Sequence, residues 1–241
     1  MNGAGAAGAA VIRLHAGIPV GPGLYGDLTV PAEAIGVTLF AHGSGSSRFS
    51  PRNRLVADAL NRRGIATLLF DLLTPAEEPH RANVFGVDLL GGRLELTTRW
   101  LLEQPLAEGL APCFFGASTG AAAALTAAAN LGPLVRAVVS RGGRPDLAGT
   151  HLPRVDSPTL LIVGEDDPVV VDLNRQAFAA LTCERRLVII RRAGHLFEEP
   201  GTLERVAELS GAWLAGHLTE PRVEATAHGE VEIVDPVVTG A

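Results

Sequence analysis

The sequence predicts an α/β fold: a mostly parallel eight-stranded sheet with helices on both faces and no sizeable lid. Three observations carry that expectation. Short apolar runs alternate with longer stretches of helical period, the pattern of βαβ units that cover a parallel sheet from both sides. The 241 residues suffice for one large domain with a well-buried core, and no Pro/Ser-rich linker divides them. A Gly-x-Ser-x-Gly segment, with Gly116, Ser118 and Gly120, stands between an apolar run and an alanine-rich stretch, where a strand hands over to a helix.

In chain order, the strand candidates are residues 11–16, 24–30, 36–42, 66–73, 112–116, 135–140, 159–164 and 186–190. The first two leave no room for a helix between them and are expected to pair as an antiparallel hairpin, whereas later runs are separated by helix-length segments. Ser50-Pro51 reads as an N-cap followed by proline at the first helical position, with Leu55, Val56, Ala59 and Leu60 forming an apolar face that stops at Gly64. Similar faces run through Leu90, Leu94 and Leu101, through the alanines after Ser118, and through Leu203, Val206, Trp213 and Leu214. Between Gly142 and Pro158 there is only a short polar loop, so the mouth of any site there is expected to be open. The chain thus divides into a Gly/Ala-rich stretch at 1–10, one domain at 11–218, and a tail at 219–241 that reads either as an added strand or as a loose arm.

Composition narrows the possible partners. The net charge is −6, and the 20 basic residues are all arginine and are scattered, which argues against a nucleic-acid-binding stripe. Two cysteines, Cys113 and Cys183, make neither a disulfide framework nor a metal set, and no cofactor is implied. Residues 109–135 carry no charge, yet Pro112, the paired glycines, Ser118, Asn130 and Pro133 mark a buried strand, elbow, helix and turn rather than a membrane span. Residues 1–10 lack a basic start and a leucine-rich core, so no secretory signal is read there and a cytoplasmic protein is expected.

A serine nucleophile needs a base to take its proton, an acid to orient that base, and donors for the oxyanion that forms on the attacked carbonyl. In this fold the partners follow the serine as acid and then histidine, each in a loop after a strand. The run 159–163 is followed by Gly164-Glu165-Asp166-Asp167-Pro168, and the run 187–190 by Arg191-Arg192-Ala193-Gly194-His195. Asp167, just before Pro-Val, is the favoured acid, with Asp166 second and Glu165 third; the competing reading of this acidic run is a helix cap. His195 is the candidate base, while His15, His80, His151, His217 and His228 are read as structural or surface residues and His42 as a loop brace. The Thr119 amide comes with the elbow as one oxyanion donor, and the Ser44 amide, in the loop His42-Gly43-Ser44-Gly45, is the candidate second. That loop lacks the lysine and the glycine spacing of a phosphate-binding P-loop. Arg48, Arg141 and Arg144 are expected near the same rim, where Arg48 and Arg141 are candidate clamps for a substrate carboxylate or phosphate, in competition with pairing to local acids such as Asp146.

With these segments in place, residues 11–218 resemble the α/β-hydrolase superfamily, and in particular its small, lidless dienelactone hydrolase-like branch. Residues 42–53, 115–123, 140–146 and 195–200 are similar to recurring segments of hydrolase domains that occur fused to phosphoribosyltransferases. The resemblance implies an eight-stranded sheet, an acyl-enzyme at Ser118, His195 as base and Asp167 as its orienting acid. Dienelactone hydrolases proper carry cysteine at the elbow, where this chain has Ser118. The expected activity is hydrolysis of a small ester, lactone or thioester, an anionic one where the arginines grip substrate. The alternatives are acyl transfer with the same residues, or a non-catalytic partner of a phosphoribosyltransferase.

Overall fold

The computed structural model describes residues 11–20, 23–220 and 228–238; the 1–10 stretch and the tail segments 221–227 and 239–241 lie outside the described residues. In chain order the elements are β1 (Val11–Ile18), β2 (Leu24–Pro31), β3 (Gly36–Ala41), α1 (Pro51–Arg62), β4 (Ile65–Phe70), the single turn α2 (Arg81–Val84), α3 (Val87–Leu102), β5 (Pro112–Ala117), α4 (Thr119–Leu131), β6 (Val138–Arg141), β7 (Thr159–Gly164), α5 (Pro168–Ala180), β8 (Arg185–Ile190), α6 (Thr202–Thr219) and β9 (Gly229–Val234). Three 3-10 segments, Pro105–Ala107, Gly132–Leu134 and Pro145–Arg154, fill the connections.

The described strands form one sheet in the order β1-β2-β4-β3-β5-β6-β7-β8-β9. β1 and β2 pair antiparallel, as the missing helix between them requires, and β2 runs antiparallel to β4; every pairing from β4 onward is parallel. Strands β3 to β7 are buried along their whole length, which explains why they read as continuous apolar runs rather than alternating ones. Successive side chains feed two cores. Leu39 and Ala41 join Leu90, Leu94 and the alanines of α4 on one face, while Phe40 joins Val56, Leu60, Val206 and Leu214 of α1 and α6 on the other.

Several strand ends differ from the sequence reading, β4 stopping at Phe70 rather than at residue 73, and the undecided tail resolves as a strand. β6 starts at Val138 rather than at Val135, because residues 135–137 come out of a 3-10 turn and join β5 only through Arg136 N–H to Pro112 O (2.8 Å) and Phe114 N–H to Ala137 O (3.0 Å). The sheet also has a ninth strand. β9 lies in the segment set apart as a tail and pairs parallel with β8 from Arg185–Gly229 to Ile190–Val234. Its Val231 and Ile233 are each 53% exposed and its glutamates face Arg186, with Arg186 to Glu232 at 2.7 Å, so half-exposed valines and charges describe an edge strand and leave little core signature.

Backbone packs closely on backbone at the elbow. A Cβ at Gly120 would lie under 3.0 Å from Ala41 O and from His42 O, and one at Gly116 equally close to the backbone of Ala121. Gly216 in α6, by contrast, has nothing within 4 Å of such an atom. Gly120→Ala should therefore destabilise the fold by about 3 kcal/mol, as overpacking against backbone does. Gly216→Ala should stabilise it by about 0.5 kcal/mol through helix propensity. Thermal unfolding of the two variants should show midpoint shifts of opposite sign.

Candidate active site

Ser118 sits between β5 and α4 at φ 52°, ψ −124°, a conformation that side-chain-bearing residues rarely adopt. Strain of this kind costs about 1–3 kcal/mol and persists only where the surroundings over-determine it. Here they do. Ser118 N–H donates to Arg141 O (3.2 Å), and Ser118 O accepts from Ala121 N–H (3.1 Å) and Arg144 N–H (3.0 Å), so the loop after β6 clamps both sides of the turn. Gly143 makes this possible, since a Cβ there would collide with Ser140 Oγ and with Ala121 Cβ.

His195 and Asp167 meet at the same edge of the sheet. Their loops are locked together by Glu165 N–H to Ile190 O and Asp166 N–H to Ala193 O, each 2.9 Å. His195 Nδ1 lies 2.7 Å from Asp167 Oδ2. An ionised carboxylate only accepts, so Nδ1 carries the proton and Nε2 is left as the basic nitrogen. The other oxygen, Asp167 Oδ1, accepts from Val170 N–H at 3.4 Å and caps α5, which starts at Pro168. Both readings of the acidic run thus apply to one side chain. Of its neighbours, Glu165 is taken up by Arg192 N–H (3.1 Å), and Asp166 has no hydrogen bond to His195. Gly142, two residues before Arg144, adjoins both the His195 carbonyl and its ring, which puts Ser118 and His195 on either side of the β6 loop. Among the described residues no hydrogen bond joins Ser118 Oγ to His195; such contacts are often long without substrate and tighten when it binds.

The expected oxyanion donors are adjacent, with one difference from the sequence reading. Thr119 is the first residue of α4, so its N–H has no intrahelical acceptor. Ser44 N–H, however, is not free: it donates to Thr119 Oγ1 at 3.0 Å. His42 braces the loop, accepting from Leu72 N–H at Nε2 (3.1 Å) and donating from Nδ1 to Gly43 O (3.0 Å); burial lowers its basicity and keeps it neutral.

The two candidate arginine clamps are placed differently from the expectation. Arg48 is ion-paired with Asp71 and lies 3.6 Å from Asp27, so its charge is already neutralised. Arg141 is 6% exposed, donates to Asn53 Oδ1 (3.2 Å) and stacks over Phe197 (5.9 Å) beneath the His195 loop. Burial, and secondarily Arg52, lowers its pKa to about 10, so it remains a cation without a carboxylate partner. Arg144 forms a two-pronged pair with Asp146.

A cavity of about 530 Å³ opens beside Ser44 and Thr119, walled by the serine loop on one side and by Leu72, Leu73, Val84 and Leu90 on the other. Neither Arg48 nor Arg141 lines it. The sequence placed Leu90 on a helix face and residues 72 and 73 in a strand, with no sign that they would wall a cavity with Val84 from the crossover between β4 and α3. The crossover is pinned by Glu77, which accepts from Arg93, Thr74 N–H and Thr74 Oγ1. No helix among the described residues is long and apolar enough to cross a membrane, and no group of three or more potential metal ligands occurs among them.

The same architecture recurs in solved enzymes. A dienelactone hydrolase from Anabaena variabilis is 51% identical, with a TM-score of 0.83 over 86% of this chain and 98% of its own. The esterase domain of a Rhodothermus marinus protein shares the fold at 21% identity, with a TM-score of 0.68 over 87% of this chain and 99% of that domain. A protein of Mycobacterium tuberculosis, whose name assigns it provisionally to the phosphoribosyl transferases, is 58% identical over 196 residues, 81% of this chain. The chain spans only 44% of that relative's length. No protein-family model matches. Fold and site together define an α/β-hydrolase. More narrowly, the chain belongs to the dienelactone hydrolase family, a family of ester hydrolases.

Two outcomes follow from the charges around the site. The Arg93 guanidinium holds the Glu77 carboxyl well down, at about 2, so the stabilisation it brings is complete above pH ~4.5 and is lost as pH falls toward 2. Amide protection factors in residues 74–86, taken against the intrinsic exchange rate at each pH, should fall across that window, and Glu77→Gln should show the low protection already at neutral pH. Burial pushes the Cys113 thiol up to about 12 and raises that of Cys183, so a disulfide reagent should titrate no thiol in the folded protein and two after denaturation.

Proposed function

We propose that the protein is a serine hydrolase that cleaves a small ester, lactone or thioester through an acyl-enzyme at Ser118. The observation that carries this reading is the 2.7 Å contact of His195 with Asp167 at the sheet edge where Ser118 is held in its strained turn. Asp167 fixes the tautomer and steadies the imidazolium, and His195 Nε2 takes the Ser118 proton as the hydroxyl oxygen attacks the carbonyl. The carbonyl oxygen, now an anion, is held by the Thr119 amide and by the Ser44 amide, from which it displaces the Thr119 hydroxyl. His195 then protonates the leaving group, and water, deprotonated by the same nitrogen, releases the acid. In this scheme Arg141 positions the His195 loop through Phe197 rather than gripping substrate.

A second reading is supported by length. The Mycobacterium relative is more than twice as long as the matched region, so an association with a phosphoribosyltransferase fits a chain that corresponds to part of it. Co-purification of such a partner with protein that lacks esterase activity would favour this reading over hydrolysis.

Ser118→Ala should cut kcat by at least about 10⁴-fold, and Asp167→Asn, which imposes the wrong tautomer, by about 10³–10⁴-fold, both with unchanged unfolding midpoints. A fluorophosphonate probe should label the wild type at Ser118 and leave Ser118→Ala unlabelled. Turnover retained in Ser118→Ala would overturn the mechanism.

A further inference from the structure

The cavity beside the elbow has one ionised wall. Of the residues that line it, Glu78 and His42 alone can carry charge, and His42 is kept neutral by burial with both ring nitrogens occupied. The Glu78 backbone is fixed by N–H donation to Thr74 O (3.1 Å), while its carboxylate makes no hydrogen bond or ion pair among the described residues. Other acids around the site are engaged, Glu77 with Arg93, Asp71 with Arg48, Asp146 with Arg144, Glu165 with Arg192 N–H and Asp167 with His195, apart from the exposed Asp166, which does not line the cavity. The cations that could have cancelled Glu78 are either used in those pairs or, like Arg141, absent from the lining. What remains is a chamber with a leucine and valine wall facing the serine loop and a carboxylate at its exposed rim, next to the proposed oxyanion donors.

We propose that this cavity takes the arm of the substrate ester that ends in a cationic head, a quaternary or primary ammonium, and disfavours one that ends in a carboxylate, with Glu78 as the specificity-determining residue. The inference rests on the hydrolase reading above and adds its substrate class. Methyl groups of a quaternary ammonium suit the leucine and valine walls, while the charge meets Glu78 without having to break an existing pair. An anionic arm meets the same carboxylate with the opposite sign. Because Glu78 is exposed, the preference is modest and salt-dependent.

The test uses matched esters that carry trimethylammonium, tert-butyl or carboxylate at the end of one arm, made in both an acyl-side and an alcohol-side series. For the series whose arm enters the cavity, wild-type kcat/KM should favour ammonium over carboxylate by about 10-fold at low salt, and the ratio should shrink at high salt. Glu78→Gln should reduce the ratio to about 2-fold or less, and Glu78→Arg should invert it. A ratio that Glu78→Gln leaves unchanged, or a wild-type preference for carboxylate in both series, overturns the proposal. Calorimetric binding of the same esters to Ser118→Ala reads the charge preference without turnover. Selective binding with no wild-type turnover of any ester would refute hydrolysis and support the charge selection; turnover without selective binding would do the reverse.

Discussion

The approach of the first turn of α4 to the end of β3 governs the rest of the site. Position 120 faces the carbonyl oxygens of Ala41 and His42 with no space for a side chain, and position 116 faces the backbone of Ala121 just as closely. This contact places the α4 N-terminus, the serine before it and the loop after β3 in one layer. It requires β3 and β5 to be neighbours, a crossing that the sheet order provides. The Ser118 backbone would relax from its positive φ without the hydrogen bonds from the β6 loop, so a second neighbour, β6, completes the restraint. The strain at the serine is therefore carried by a sheet buried on both faces, the stiffest part of the molecule.

Much of this was legible in the sequence because it depends on local chemistry. The glycine spacing around Ser118, the Ser50-Pro51 cap and the uncharged stretch at 109–135 each correspond to an element with a local reason to form. The N-cap side chain of Ser50 accepts from Asn53 N–H, as the reading required. Less legible were contacts between residues far apart in the chain. Nothing near Arg48 announces that Asp71 will take its charge, and nothing near Ser44 announces that a threonine 75 residues away will occupy its amide. The ninth strand stayed undecided in the sequence, between an added strand and a loose arm, for a different reason: an edge strand needs little apolar character, and its alternating glutamates resemble a solvated tail.

Charge in the site is arranged mainly as closed pairs. Glu77 with Arg93 fastens the cavity wall, Arg48 with Asp71 fastens the base of the serine loop, and Arg144 with Asp146 fastens the segment after β6. These pairs act on shape, since a neutralised pair has little reach into the cavity. Two charges without an ion pair among the described residues stand apart from one another, Arg141 sealed under the His195 loop and Glu78 at the cavity rim. The same economy makes His42 structural. With Nε2 accepting and Nδ1 donating, it has no free ring nitrogen to offer a substrate.

The Asp167 carboxylate is shared between two acceptor duties, one oxygen to the imidazole and the other to the first turn of α5. Hydrogen bonds to one small group compete for its electron density, so the two are coupled in opposition. When the imidazole gains a proton and draws the carboxylate more strongly, the longer bond to Val170 N–H is the one that gives. The helix start is thereby a spectator with a readout: the Val170 amide resonance should move with the charge on His195.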